Sequence, residues 1–361
     1  MKTFKKYILT VLAVSLITVL AACGSSSDNN EPVQEGAGTP PPATQELESS
    51  VTIGTHPQGL AQYTIGGVFS GIISTKTSIA ATASPFAGPN AWMPLLNSGE
   101  IDLGILSSMD SNWAWNGING YEKNENLRLL LRLGEPVQVP ISVRKDSGIQ
   151  SVAELKGKRV PSKFSGNLSV HLIVESSLAA AGLTWSDVQE VPVSDVNASI
   201  KGMREGQLDA SFGPSPTSAA AQETHVMTPL KVLNFGDVPT SEINNFPEQA
   251  MKELTSRLPG AKPIVTKVGI MEEEATVIAY PFLLGASAHL SEEAAYQILK
   301  ALWENHADAQ PGHPWLADFT PEMIFYPEFD VPYHDGAVKF FKEQGVWTDE
   351  AEARQKELLA Q

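Results

Sequence analysis

The chain has 361 residues, with 25 Lys and Arg against 41 Asp and Glu, a formal charge of −16 and one cysteine. That balance argues against nucleic acid or a broad anionic membrane surface as partners, because both repel an acidic protein. It says nothing of the local charge in one small pocket. A single cysteine excludes an intramolecular disulfide.

The first elements are punctuation and tether. Lys2, Lys5 and Lys6 precede an uncharged apolar run from Tyr7 to Ala22. The run is shorter than the roughly 20 residues a spanning helix needs and closes on small residues, so residues 1–22 read as a cleaved signal peptide. Leu20-Ala21-Ala22-Cys23-Gly24 resembles a bacterial lipobox. That resemblance implies that Cys23 becomes the acylated first residue of the mature chain, carrying palmitate or a similar lipid. The mature chain would hold 22 basic and 41 acidic side chains, a charge of −19. Residues 23–50 are rich in Ser, Asn, Pro and Glu, too polar to offset the entropy of ordering, and read as a disordered tether.

The folded part opens with the strand Val51-Thr52-Ile53, a loop from Gly54 to Gly59, and a helix that buries Ile65, Val68, Phe69 and Ile72 at helical spacing. A helix through Trp92–Leu96 stops at Gly99, and Ile101–Leu106 is a strand. Val137–Val143 is a strand and a candidate crossover. Arg159-Val160 ends another, residues 162–169 form a polar loop, and Val170, Ile173, Val174, Ser177, Leu178 and Ala181 share one helix face that Gly182 ends. Ile200–Glu205 is helical, Gly206 stops it, and Gln207–Phe212 is a strand. The acidic run Glu272–Glu274 precedes one buried strand over Thr276–Gly285. Ser291 caps a helix to Glu304, and Gly336–Gln344 is the last helix, leaving 348–361 as a C-terminal tail. Ser98-Gly99-Glu100-Ile101-Asp102-Leu103 and Glu205-Gly206-Gln207-Leu208-Asp209-Ala210 stand at matching places in two successive stretches. Strand alternating with helix predicts parallel β in an α/β protein, and two such units predict two lobes with a ligand between them.

The order and spacing of several segments carry a family likeness. They are Ile53-Gly54-Thr55 with Tyr63 and Gly66-Gly67, Leu96–Gly104, Trp115-Asn116-Gly117, Val143–Ile149, Leu155–Val160, Ala180–Leu183, Gly206–Ala210 and Tyr333–Val346. Together they resemble the TAXI-type solute-binding proteins of TRAP (tripartite ATP-independent periplasmic) transporters, in a lipoprotein form. The resemblance implies an α/β, two-lobed periplasmic-binding-protein-like (type II) fold with a ligand cleft between lobes. On that layout residues 51–138 and 275–347 make lobe I and residues 139–274 lobe II. It also implies an extracytoplasmic monomer that captures a small organic anion or amino acid and hands it to a TRAP-type membrane permease. An ABC-type substrate-binding lipoprotein, a sensory solute-binding subunit and an extracytoplasmic enzyme are the alternatives. The chain departs from the family pattern where ligand binds: at His56–Tyr63, at Ser107 and Met109, and at Ser165–Ser169.

Polar loops ahead of helices are ready anion sites, because free N–H groups and the helix dipole point outward. Ser165, Gly166, Asn167 and Ser169 form one such loop, although Ser169 as a plain cap and Asn167 as a turn residue satisfy the pattern equally. Thr55, His56, Gln58 and Tyr63 form the other, with His56 able to donate to an anion or to titrate. Asn90, Ser107, Ser215 and Thr217 follow strands or open helices and complete the candidate set, with Tyr280 weaker. Trp92, Trp113 and Trp115 suit a cleft wall or the core. No serine-hydrolase elbow, P-loop or His-Glu-x-x-His motif occurs, and His306 and His313 are poorly spaced for a metal. Neither catalytic residues nor a cofactor or metal is expected.

Overall fold

The computed structural model describes residues 48–361. The signal segment, Cys23 and the tether up to residue 47 lie outside the described residues. The last tether positions already belong to the fold: the Glu48 carboxylate accepts from the N–H and hydroxyl of Ser291, at 2.8 and 2.5 Å, and Ser50 begins the first strand.

The chain runs β1 (Ser50–Thr55), α1 (Ala61–Lys76), β2 (Ala80–Pro85), α2 (Pro89–Ser98), β3 (Leu103–Ser107), α3 (Ser108–Asn116) and β4 (Leu127–Gly134). The α1 face expected from spacing is inside, with Ile65, Phe69, Ile72 and Ile73 buried. Pro89 opens α2, where a missing N–H costs nothing, and Gly99 closes it at φ 78°. Trp92 on α2 lies flat over two strand glycines; a Cβ at Gly104 would stand 2.3 Å from the indole. The helix therefore seats directly on β1 and β3.

Next come β5 (Val137–Arg144), β6 (Arg159–Lys163), α4 (Leu168–Ala180), β7 (Gln189–Val193), α5 (Val196–Arg204) and β8 (Ala210–Gly213). They are followed by α6 (Ala219–Met227), β9 (Leu230–Val232), α7 (Glu248–Arg257), β10 (Lys262–Thr266), β11 (Ala275–Ala279) and β12 (Phe282–Ser287). The single strand read over Thr276–Gly285 is two strands, β11 and β12, because Pro281 has no N–H to continue a ladder. The chain closes with α8 (Glu292–Glu304), α9 (His306–Ala309), α10 (Pro321–Ile324), α11 (Asp335–Glu343) and α12 (Asp349–Leu359). Residues 348–361, read as a tail, are mostly α12. Thr348 caps it, Ala351 and Leu358 are buried, and the Gln355 amide bonds both backbone groups of Tyr333 at 2.8 Å.

Two main sheets result, one in the order β2-β1-β3-β12-β4 and one in the order β10-β11-β5-β8 with β9 on β5. The expectation of parallel β holds only where a helix returns the chain: β1 with β2 and β3, and β6 with β7. β12 and the whole second sheet pair antiparallel. The reason is the crossing geometry: β5 and β12 arrive straight from the other sheet with no helix to reverse them. The crossings lie at Glu135-Pro136 and Tyr280-Pro281. Residues 275–279, grouped above with lobe I, pair in the second sheet. Buried apolar residues of both sheets form one continuous cluster with two small satellites on the second sheet side.

Candidate functional site

Loops from the carboxyl ends of both sheets meet face to face. The Asn90 Oδ1 at the start of α2 accepts from the Leu168 N–H at the start of α4, at 2.8 Å. The Asn197 amide donates to the Gln58 carbonyl at 3.1 Å, and the Ala220 N–H to the Gly59 carbonyl at 3.0 Å. The Trp315 Nε1–H donates to Ser215 Oγ at 2.9 Å. Gly88 and Gly166 let the two backbones touch: a Cβ on Gly166 would stand 2.3 Å from that of Ala87. Just before it, Lys163 and Phe164 both hold left-handed backbone, at φ 67° and 44°. Two successive non-glycine residues there store strain, which folds keep chiefly where a loop has a task.

Behind these contacts is a cavity of about 30 Å³, lined by His56, Leu60, Ala61, Gln62 and Asp110 from the first side and by Asn167, Ser169, Val196, Phe212 and Ser215 from the second. Gln138, Tyr280 and Phe282 close it at the crossings, and Trp315 at the rim. It has room for roughly one or two water-sized groups. Ser215 and Trp315 also line an outer pocket of about 190 Å³, so their hydrogen bond is the partition between the two.

Asp110 is the acidic side chain in the cavity lining. Ser107 ends β3 and Asp110 sits in the first turn of α3, a capping box in which each side chain serves the other's N–H. The carboxylate also accepts from the Ser107 hydroxyl at 2.6 Å, the Tyr121 hydroxyl at 2.8 Å and, from across the cleft, the Ser169 hydroxyl at 3.4 Å. Burial nevertheless raises its pKa above the usual carboxylate range, against the opposing pull of these donors. His56 is buried, its Nδ1 has no partner among the described residues, and desolvation lowers its pKa to about 3. It is therefore a neutral ring at physiological pH. Tyr280 is pushed well above its ordinary range, first by burial and then by Asp110.

Of the residues singled out from sequence, His56, Asn167, Ser169 and Ser215 line this cavity. Thr217 lines the outer pocket, and its hydroxyl lies 3.2 Å from that of Ser215. Asn90 and Ser165 border a separate surface cleft of about 460 Å³. Thr55 turns inward and spends its hydroxyl on the carbonyls of His56 and Ser84. Gln58 is exposed and pairs with the Tyr63 hydroxyl, 3.4 Å away, and Ser107 faces Asp110. Much of the expected anion loop is spent on backbone contacts, and the Ser169 N–H in the first turn of α4 is left without a partner among the described residues. The N–H groups of Ser165, Gly166, Asn167 and Leu168 go to Val193 O, Ser194 O, Phe164 O and Asn90 Oδ1. Trp92 and Trp113 belong to the core. Asp110, Gln138, Phe282 and Trp315 were not singled out; the Ser-x-x-Asp pattern directly after a strand was the available signal for Asp110.

Two sheets joined by two crossings, with a small cavity lined from both sides, define the periplasmic-binding-protein fold, two-lobed with its cleft between the lobes. Among solved structures, one titled as the structure of a periplasmic transporter aligns at 13% identity over 85% of this chain and 95% of its own, with a TM-score of 0.50. The alkanesulfonate-binding protein SsuA of Xanthomonas axonopodis pv. citri, bound to MOPS, aligns at 16% identity over 88% and 98%, with a TM-score of 0.46. An ancestral arginine-binding protein bound to arginine aligns at 16% identity over 74% and 97%, with a TM-score of 0.42. The NMT1-like family model matches residues 53–345, and the chain belongs to that family.

Proposed function

We propose that the protein is an extracytoplasmic solute-binding subunit, anchored through Cys23, that captures a small solute between its lobes and delivers it to a membrane permease of the TRAP type. The observation that carries this reading is the small cavity walled from both sides, with hydrogen bonds crossing the cleft around it. Enclosure by two lobes suits capture and release, since a solute that bridges them favours the closed form over the open one. The first lobe comprises β1–β4 with β12 and the helices after it, and the second β5–β11. The permease assignment rests on the family likeness of the sequence motifs.

Of the two solute classes implied by sequence, an amino acid fits this cavity better than a simple organic anion. The N–H groups of Ser165, Gly166, Asn167 and Leu168 are occupied, which leaves those of Ala61, Gln62 and Ser169 at the starts of α1 and α4 for a ligand carboxylate, and no Lys or Arg among the described residues lines the cavity. No helix of the described residues is long and apolar enough to cross a membrane. The test is native mass spectrometry of the full chain purified in mild detergent, followed by denaturing extraction. One small molecule bound at unit stoichiometry and recovered chemically unchanged is the expected result. A recovered product differing from the molecule supplied would make the protein an enzyme. Uptake in vesicles carrying the permease, driven by an ion gradient without ATP, separates the TRAP reading from an ATP-driven one.

A further inference from the structure

The chemistry of the cavity wall points to one kind of group on the solute. Asp110 places a carboxyl group against the cavity, its pKa raised by burial, and among the described residues no cationic side chain lines the cavity to favour its ionised form. Opposite stand aromatic rings. Tyr280 and Phe282 stack with centroids 5.5 Å apart, and Phe282 meets Trp315 at 5.0 Å and 51°. A carboxylate beside the electron-rich rings of Tyr and Trp is the combination that holds a positively charged nitrogen. The partnerless His56 Nδ1, buried and facing the same space, is a further polar contact waiting for a guest. A ligand carboxylate there would raise the Asp110 pKa further, whereas a ligand cation would favour the ionised form. The net charge of −16 also steers cations toward the protein and anions away.

We propose that the cleft recognises its solute through a positively charged nitrogen, an ammonium group held between the Asp110 carboxylate and the rings of Tyr280, Phe282 and Trp315. The inner cavity takes the head group alone. The rest of the solute extends past the Ser215–Trp315 partition into the outer pocket, which this hydrogen bond opens or closes. Ser107 and Tyr121 are positioning residues, since their hydroxyls hold the carboxylate in place.

The inference rests on the solute-binding reading, and the test separates the two. Full-length protein in detergent is titrated by calorimetry and thermal shift with propylammonium and choline, which carry no carboxylate, with glycine and glutamine, and with propionate and succinate, which carry no nitrogen. Binding is expected for one or more of the ammonium compounds and for neither of the plain carboxylates. Asp110→Asn should weaken that binding by about a hundredfold. Because this change also touches the α3 cap, Tyr280→Leu is the second variant: it should weaken binding by about tenfold, and Tyr280→Phe should restore most of it. Propionate or succinate binding as tightly as the ammonium compounds, or full affinity in Asp110→Asn and Tyr280→Leu, would overturn the inference and leave a solute-binding protein of another specificity. Silence toward every probe, with no small molecule co-purifying, would remove the solute-binding reading itself.

Discussion

At the scale of single residues, the cavity is built from groups whose burial opposes their charge. His56 shows it most clearly, because its pKa falls to about 3 inside the protein through desolvation alone. The unfolded chain takes up a proton on this ring as pH drops below about 6.5, while the folded chain does not. Its contribution to stability is therefore complete above that pH and lost progressively between about 6.5 and 3. The slope is about 1.4 kcal/mol per pH unit. Asp110 acts with the opposite sign, since a raised carboxyl pKa favours the fold as pH falls through it. His313, lowered to about 4, acts in the same direction as His56. Comparing His56→Gln with the unchanged protein isolates the first effect. Urea unfolding between pH 6.5 and 5 should lose less stability per pH unit in the variant, by about 1.4 kcal/mol. Parallel curves would mean that the His56 ring titrates in the native state.

At the scale of elements, the loop β6–α4 and the loop β2–α2 touch across the cleft. Gly166 has no left-handed backbone to demand glycine, yet a Cβ there would collide with Ala87 on the other side of the cleft. Gly166→Ala should thus burden only the closed arrangement, at about 1–3 kcal/mol for overpacking. Solute affinity should fall by roughly tenfold or more while the melting temperature without solute stays put. An equal fall in both would make the loop a simple packing contact. The helices were legible in the sequence because their signals are local: the α4 face at Val170, Ile173, Val174 and Leu178, and the stops at Gly99, Gly182 and Gly206 with φ of 78°, 77° and 72°. Strand direction was not legible, because it depends on partners far along the chain, as when β12 inserts between β3 and β4. The same limit applies to the site. His56 and Asn167 could be found on their own loops, but Phe282 and Trp315 meet Asp110 only after the chain has crossed between the sheets twice. Ser107 and Thr55 were read as candidate ligand contacts and turn inward, since a hydroxyl finds a backbone or carboxylate partner as readily as a ligand.

At the scale of the whole molecule, two sheets share one apolar cluster yet are joined by only two crossings, at Glu135-Pro136 and Tyr280-Pro281. Short crossings of this kind suit a hinge, in which a few residues absorb the change in backbone angle. Tyr280 is part of one crossing and part of the cavity wall, so on the proposed reading a solute in the cavity touches the crossing itself. The hydrogen bonds of Asn90, Asn197, Ala220 and Trp315 would open with it. Each is small on its own, about 1 kcal/mol net, so a solute bridging Asp110 and Ser169 has enough leverage to decide between open and closed. The most direct measurement is small-angle X-ray scattering of the full chain in detergent, contrast-matched and titrated with the ammonium compound that binds. The radius of gyration should decrease with saturation in the unchanged protein, and in Gly166→Ala only at solute concentrations roughly tenfold or more higher. Saturation with no change of dimension, at an affinity that Gly166→Ala leaves intact, would contradict the account of two lobes closing on a solute.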